Sequence, residues 1–290
     1  MKTLFANVTL SIALMTTMVT AAEMPQVGDR RVEYPLTADV ESAYRLFVPE
    51  DWQPGQHWPL VVILHGGGGN ENTPFDRDPA FREQLQAAAR AHHFILVSPR
   101  GLKGWWGAQM LPPDAKGAIG RGTYRMPPAG KITGPPPALS LLSAEERALS
   151  RKSVEMAIGA VQKAYGTDPH RLFLMGNSMG SVGTLHLAQE DPRRWCAIAP
   201  SDGPVDPATF PFKRVRGLNA AFFIHGDEDH VAPIESMTEI VNGFRRAGVP
   251  TDYLIVKGGT HGDSWHQALD PIFTFFANSK CGPVPPKSKD

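Results

Sequence analysis

The sequence predicts an α/β fold with a mostly parallel central sheet and helices on both faces. Three observations carry this prediction. Short, continuous apolar runs recur at 60–64, 94–98, 171–175 and 221–225, as expected of strands buried on both sides. Stretches with helical spacing lie between them, and strands that alternate with helices imply right-handed crossovers within one parallel sheet. Finally, Gly176-Asn177-Ser178-Met179-Gly180 stands between an apolar strand and a helical stretch, the context of a sharp strand-to-helix turn that exposes its serine.

Residues 1–22 are set apart from the fold. Lys2 precedes an apolar stretch from about 8 to 19 that ends in Ala21 and Ala22, the pattern of a cleavable export signal. Residues 23–281 then read as one domain, long enough for a full core. Its first strong strand is 44–48, followed by 60–64, which opens into the glycine loop His65-Gly66-Gly67-Gly68-Gly69-Asn70. A helix over 81–91 leads to the strand 94–98, stopped by Pro99. From 101 to 142 periodicity vanishes and Gly and Pro are dense, so this segment reads as an irregular, lid-like insertion next to the ligand crevice. Ser143 and Glu146 have the spacing of a capping box, and Val154, Ala157, Ile158 and Val161 give the helix behind them one apolar face. After the strand 171–175 and the serine turn come a helix with Val182, Leu185 and Leu187, strands at 197–199, 221–225 and 253–256, a helix over 234–247 and a closing helix around 273–276. The tail 282–290 reads as disordered.

Lys and Arg together number 29, as do Asp and Glu. This balance recommends neither nucleic acid nor an anionic membrane surface as partner, and no segment beyond the leader is apolar enough to span a bilayer. A small or polymeric neutral molecule is the expected partner, with the oligomeric state left open. Cys196 and Cys281 lack the spacing of a zinc or redox motif; they are either a disulfide of an oxidising compartment or two free thiols.

A serine hydroxyl becomes a useful nucleophile only beside a base that a carboxylate orients. Both are available downstream of Ser178, on segments that follow strands: 225–233 carries Asp227 and Asp229, and 257–262 carries His261. Asp202 is a further candidate acid, and His266 a further candidate base that lies a turn into a helix. His65 and His225 each follow a strand and suit the bracing of loops. Asp227, Asp229 and His230 have metal-ligand chemistry, but the acid is already committed to the serine, so no metal is expected. The glycine loop lacks the patterns of a phosphate cradle.

On these motifs, from Tyr44-Arg45-Leu46-Phe47-Val48-Pro49 through Leu64 to Gly69, Gly176 to Gly180, His225 to Pro233 and Gly258 to Gly262, the chain resembles the α/β-hydrolases. It is similar to secreted esterases of the polyhydroxybutyrate depolymerase and feruloyl esterase group, with likeness to the phospholipase/carboxylesterase and dienelactone hydrolase branches. The resemblance implies Ser178 as nucleophile, Asp229 as acid and His261 as base, with the acid two residues beyond the aspartate of His-Gly-Asp. It implies an oxyanion hole from the amides of Gly67 and Met179, no cofactor, and a carboxylic ester as substrate. Several relatives carry histidine where this chain has Asn177. Trp105 and Trp106 at the head of the irregular segment are either its hydrophobic anchor or, with His65, contacts for substrate. A serine peptidase of the same fold and a non-catalytic glycan-binding relative are the alternatives.

Overall fold

A computed structural model describes residues 25–116, 120–128, 139 and 141–282. The expected leader at 1–22 and the tail from 283 onward lie outside the described residues. Eight strands form one sheet in the order β1-β2-β4-β3-β7-β8-β9-β10. They are β1 (Gly28–Pro35), β2 (Glu41–Val48), β3 (Leu60–Leu64), β4 (Ile95–Pro99), β7 (Leu172–Asn177), β8 (Ala197–Ser201), β9 (Ala221–Gly226) and β10 (Thr251–Val256). Only β2 pairs antiparallel, with β1 on one side and β4 on the other; every other pair in this sheet is parallel.

The pleat divides the core in two. Leu60, Val62 and Leu64 face one apolar cluster while Val61 and Ile63 face the other, and Leu172 and Leu174 are opposed to Phe173 and Met175 in the same way. One cluster is closed by α3 (Ala144–Tyr165), α4 (Met179–Glu190) and α5 (Ile234–Arg246). The other is closed by α2 (Pro79–His92) and α7 (Leu269–Asn278), with the short α1 (Thr73–Asp76) and α6 (Ser264–Gln267) near the sheet's C-terminal edge. Both faces are therefore covered, which is why the central strands are buried at every position and mostly apolar. The Ser143 side chain accepts from the Glu146 amide at 3.1 Å, and Glu146 accepts from the Ser143 amide at 2.8 Å, so the capping box starts α3 as its spacing predicts. Among the described residues no helix is long and apolar enough to cross a membrane.

The segment 101–142 is largely irregular where it is described, but it holds two short strands and several buried side chains. Strands β5 (Gln109–Leu111) and β6 (Thr123–Arg125) pair in parallel, and Trp106, Met110, Tyr124 and Met126 are buried in the core beside α4. Four large apolar side chains give this stretch enough burial to hold without regular periodicity. Cys196 and Cys281 form a disulfide with Cα atoms 4.9 Å apart, tying the chain beyond α7 to the start of β8.

Candidate active site

Ser178 occupies the turn between β7 and α4 with φ 56° and ψ −115°, a conformation L-residues adopt only under constraint. The flanking glycines make that turn possible. A Cβ on Gly176 would lie 2.5 Å from the Gly180 carbonyl oxygen, and one on Gly180 would collide with the carbonyl of Leu64 on the neighbouring strand. The motif thus packs turn, strand and helix backbones at distances that exclude any side chain.

From this turn a continuous hydrogen-bonded chain runs inward. His261 Nε2 stands 2.7 Å from Ser178 Oγ, and His261 Nδ1 donates to Asp229 Oδ2 at 2.9 Å. With Nδ1 committed as donor, Nε2 is free to accept the serine proton. Asp229 Oδ1 accepts from the amides of Val231 (2.7 Å) and Ala232 (2.9 Å), so the carboxylate is held from both ends. Burial pushes its pKa up, but the hydrogen bond and charge of His261, with the two amides, outweigh this and hold Asp229 below the usual carboxylate range. Its side chain is fully buried, whereas His261 keeps 22% of its side-chain surface exposed toward the site.

The rival residues stand elsewhere. Asp227 is exposed, and its Oδ1 accepts from the Gly258 amide at 2.5 Å, linking the loops after β9 and β10. His266 stacks on Phe81 with ring centroids 4.0 Å apart. Asp202, at the end of β8, is fully buried and accepts from Asn177 Nδ2 rather than from His261. The buried His225 donates Nε2–H to the Ala232 carbonyl at 2.9 Å, bracing the Asp229 loop. Ligand-type atoms of Asp202, His225 and Asp229 lie within 4.8 Å of one another, a different trio from Asp227, Asp229 and His230. All four oxygens of the two carboxylates already accept hydrogen bonds, so this group reads as a hydrogen-bond network.

Of the residues that could contact substrate or brace their loops, His65 and Trp106 are buried. His65 is 2% exposed; its Nδ1–H donates to the Gly66 carbonyl (2.9 Å) and its Nε2 accepts from the Gly101 amide (3.1 Å). Both ring nitrogens are spent on bracing the glycine loop against the exit of β4. Trp106 is wholly buried at φ 58°, edge-on to His65, and a Cβ on Gly183 of α4 would collide with its ring. The area of an indole is better matched by that pocket than by solvent, so it anchors its loop. Trp105 is partly buried against the same core.

The Gly67 and Met179 amides have no hydrogen-bond partner among the described residues. Met179 is the first residue of α4, where amide groups point outward and the helix dipole favours negative charge. Gly66 faces the serine closely, since a Cβ there would stand 3.7 Å from Ser178 Cβ. A cleft of about 650 Å³ extends from this loop and Asn177 to Phe81, Trp265 and His266. The loop is fixed from behind by Glu71, whose fully buried carboxylate accepts from Arg31 Nε and from Arg100 Nε and Nη2, each at 2.7 Å. Burial would push Glu71 up, but the two guanidiniums hold it below its ordinary value. Sequence reasoning missed Glu71 because its arginines come from distant strands.

Solved structures with this arrangement of strands and helices are numerous. The feruloyl esterase module from Clostridium thermocellum, solved in complex with sinapinate, superposes with a TM-score of 0.60 over 88% of this chain and 90% of its own, at 16% identity. The fold is that of the α/β-hydrolases. S-formylglutathione hydrolase from Staphylococcus aureus shares this α/β-hydrolase fold with a TM-score of 0.58, over 88% of this chain and all of its own, at 13% identity. In sequence, the chain is 23% identical over 203 residues to a bifunctional acetylxylan esterase/xylanase from Neocallimastix patriciarum, covering 69% of this chain and 23% of that protein. No protein-family model matches the sequence.

Proposed function

We propose that the chain is a secreted serine esterase that hydrolyses carboxylic esters through an acyl-enzyme. The observation that carries this reading is the unbroken chain Ser178 Oγ, His261, Asp229 at 2.7 and 2.9 Å. As Ser178 Oγ attacks the ester carbonyl carbon, His261 Nε2 takes its proton and Asp229 steadies the resulting imidazolium. The carbonyl oxygen becomes an oxyanion and accepts from the amides of Met179 and Gly67, a role supported by their lack of other partners among the described residues. Collapse expels the alcohol with the proton from His261. Water, deprotonated by the same histidine, then attacks the acyl-enzyme, releases the acid and restores Ser178.

Substrate class rests on the names of the relatives, an acetylxylan esterase and a feruloyl esterase, which favour acetyl or aromatic esters of plant polysaccharide, with polyesters as a further group. Export is supported by the leader pattern at 1–22 and by the Cys196–Cys281 disulfide, a bond that persists in oxidising compartments.

The test compares 4-nitrophenyl acetate, methyl hydroxycinnamates and the matching anilides on wild type and Ser178→Ala. Esters are expected to turn over about 100-fold faster than anilides or more, and Ser178→Ala to lose about 10⁴-fold or more in kcat. Equal ester and anilide rates would point to a peptidase, and undiminished ester turnover by Ser178→Ala would refute the reading.

A further inference from the structure

Four donors converge on the Asp202 carboxylate, and three of them come from the separate segments that carry Ser178, Asp229 and His261. Oδ2 accepts from Asn177 Nδ2 at 2.8 Å, from Ser201 Oγ at 2.9 Å and from Ser264 Oγ; Oδ1 accepts from the Gly226 amide at 3.1 Å. Asn177 immediately precedes Ser178 at the end of β7. Gly226 ends β9, three residues before Asp229. Ser264 opens α6, three residues after His261. The His225 ring lies between the two carboxylates, with Nδ1 3.8 Å from Asp202 Oδ1 and Nε2 3.5 Å from Asp229 Oδ2.

The site is costly and specific. Asp202 has no exposed surface, so burial pushes its carboxyl above its ordinary value, and its backbone takes φ 52°; a buried ionisable group and an uncommon conformation coincide at one residue. A buried carboxylate is tolerated where its oxygens have donors, and here Oδ2 has three and Oδ1 one. Both ends of the side chain must accept. An amide in its place has one acceptor only and turns an N–H toward either the Gly226 amide or Asn177 Nδ2.

We propose that Asp202 is a positioning residue that holds the loops of Ser178, His261 and Asp229 in register, acting through Asn177, Ser264 and Gly226. The proposal rests on Ser178 being the nucleophile. It explains why this chain has Asn177 before the serine: the amide supplies the donor that the buried carboxylate needs. The 2.7 Å contact between Ser178 and His261 is the quantity being protected, because misplacement of reacting groups by about 1 Å costs roughly 100-fold in rate.

The experiment counts working sites before measuring rate. Wild type, Asp202→Asn and Ser264→Ala are titrated with a phosphonate that labels the serine, and kcat per titrated site and KM are measured with 4-nitrophenyl acetate. Asp202→Asn is expected to lose about 10- to 100-fold in kcat per titrated site, and Ser264→Ala about 3- to 10-fold, with KM changed less than about threefold. A purely structural residue would lower the number of titrated sites or the melting temperature and leave kcat per site alone. Kinetics within twofold of wild type per titrated site overturns the proposal, and Ser264→Ala carries this decision if Asp202→Asn does not fold. Should wild type itself neither be labelled at Ser178 nor turn over the ester, the esterase reading fails and this proposal with it, an outcome distinct from failure in the variants alone.

Discussion

Ser178 holds its backbone at φ 56° and ψ −115°, strain worth about 1–3 kcal/mol that the surrounding strand and helix impose. That strain aims Oγ at His261 Nε2 before any substrate arrives. Under the proposed mechanism Asp229→Asn keeps the shape of the site but presents His261 Nδ1 with a donor as readily as an acceptor. It is expected to lower kcat by about 10³- to 10⁴-fold with little change in melting temperature. Steady-state kinetics beside thermal denaturation checks this. The adjacent tryptophans make a second prediction. Trp106→Ala, which empties a fully buried pocket beside Gly183, is expected to cost about 3–5 kcal/mol in urea unfolding, and Trp105→Ala, only partly buried, less than half of that. Sequence alone could not separate the two indoles, because what separates them is a positive φ at Trp106 and a missing side chain on α4. By contrast Ser178, Asp229 and His261 could be named as candidates, since each follows a strand in an order that parallel strands bring to one edge of the sheet, but Asp202 follows a strand as well and only the resemblance favoured Asp229.

Among the elements, the serine turn and the glycine loop decide the geometry. Gly180→Ala would drive a methyl group into the Leu64 carbonyl, so the protein is expected to be recovered misfolded or with its turn displaced and inactive, as circular dichroism and phosphonate labelling would show. Behind the glycine loop, Glu71→Ala leaves Arg31 and Arg100 without their shared acceptor. Because both guanidiniums reach solvent, the expected loss is about 2 kcal/mol, less than for a fully buried pair. Strands β3, β4, β7 and β9 could be read from the sequence because burial on both faces makes them runs of mostly apolar residues. Strands β5 and β6 could not: three residues each, they pair across a Gly-rich connection and carry no period long enough to recognise.

At the scale of the whole molecule, two covered faces hold the sheet, and one covalent tie joins the chain beyond α7 to the N-terminal end of β8, the end away from the site. The disulfide closes a separation of 85 residues, and its reduction is expected to cost about 2–4 kcal/mol, measured as a shift of the urea midpoint with and without reductant. Neither spacing nor composition settled whether Cys196 and Cys281 pair, since the closing helix must first bring them together. Acid should weaken the fold through His186. Burial pushes this histidine down to about 4, and Tyr124 OH lies 2.9 Å from its Nδ1. Its folded pKa is below its unfolded one, so its stabilisation is complete above about pH 6.5 and is lost as pH falls toward 4. Melting temperatures from pH 7.5 to 4.5 are expected to fall for wild type and to fall less steeply for His186→Gln.

The central claim is that Ser178 is the nucleophile, and covalent labelling tests it most directly. Wild type is treated with a fluorophosphonate, digested, and the modified peptide is mapped by mass spectrometry, with folded Ser178→Ala treated in parallel. Stoichiometric modification at Ser178, with loss of ester turnover in step and no label on Ser178→Ala, is the predicted result. A label on another residue, or full label on Ser178→Ala, would contradict it.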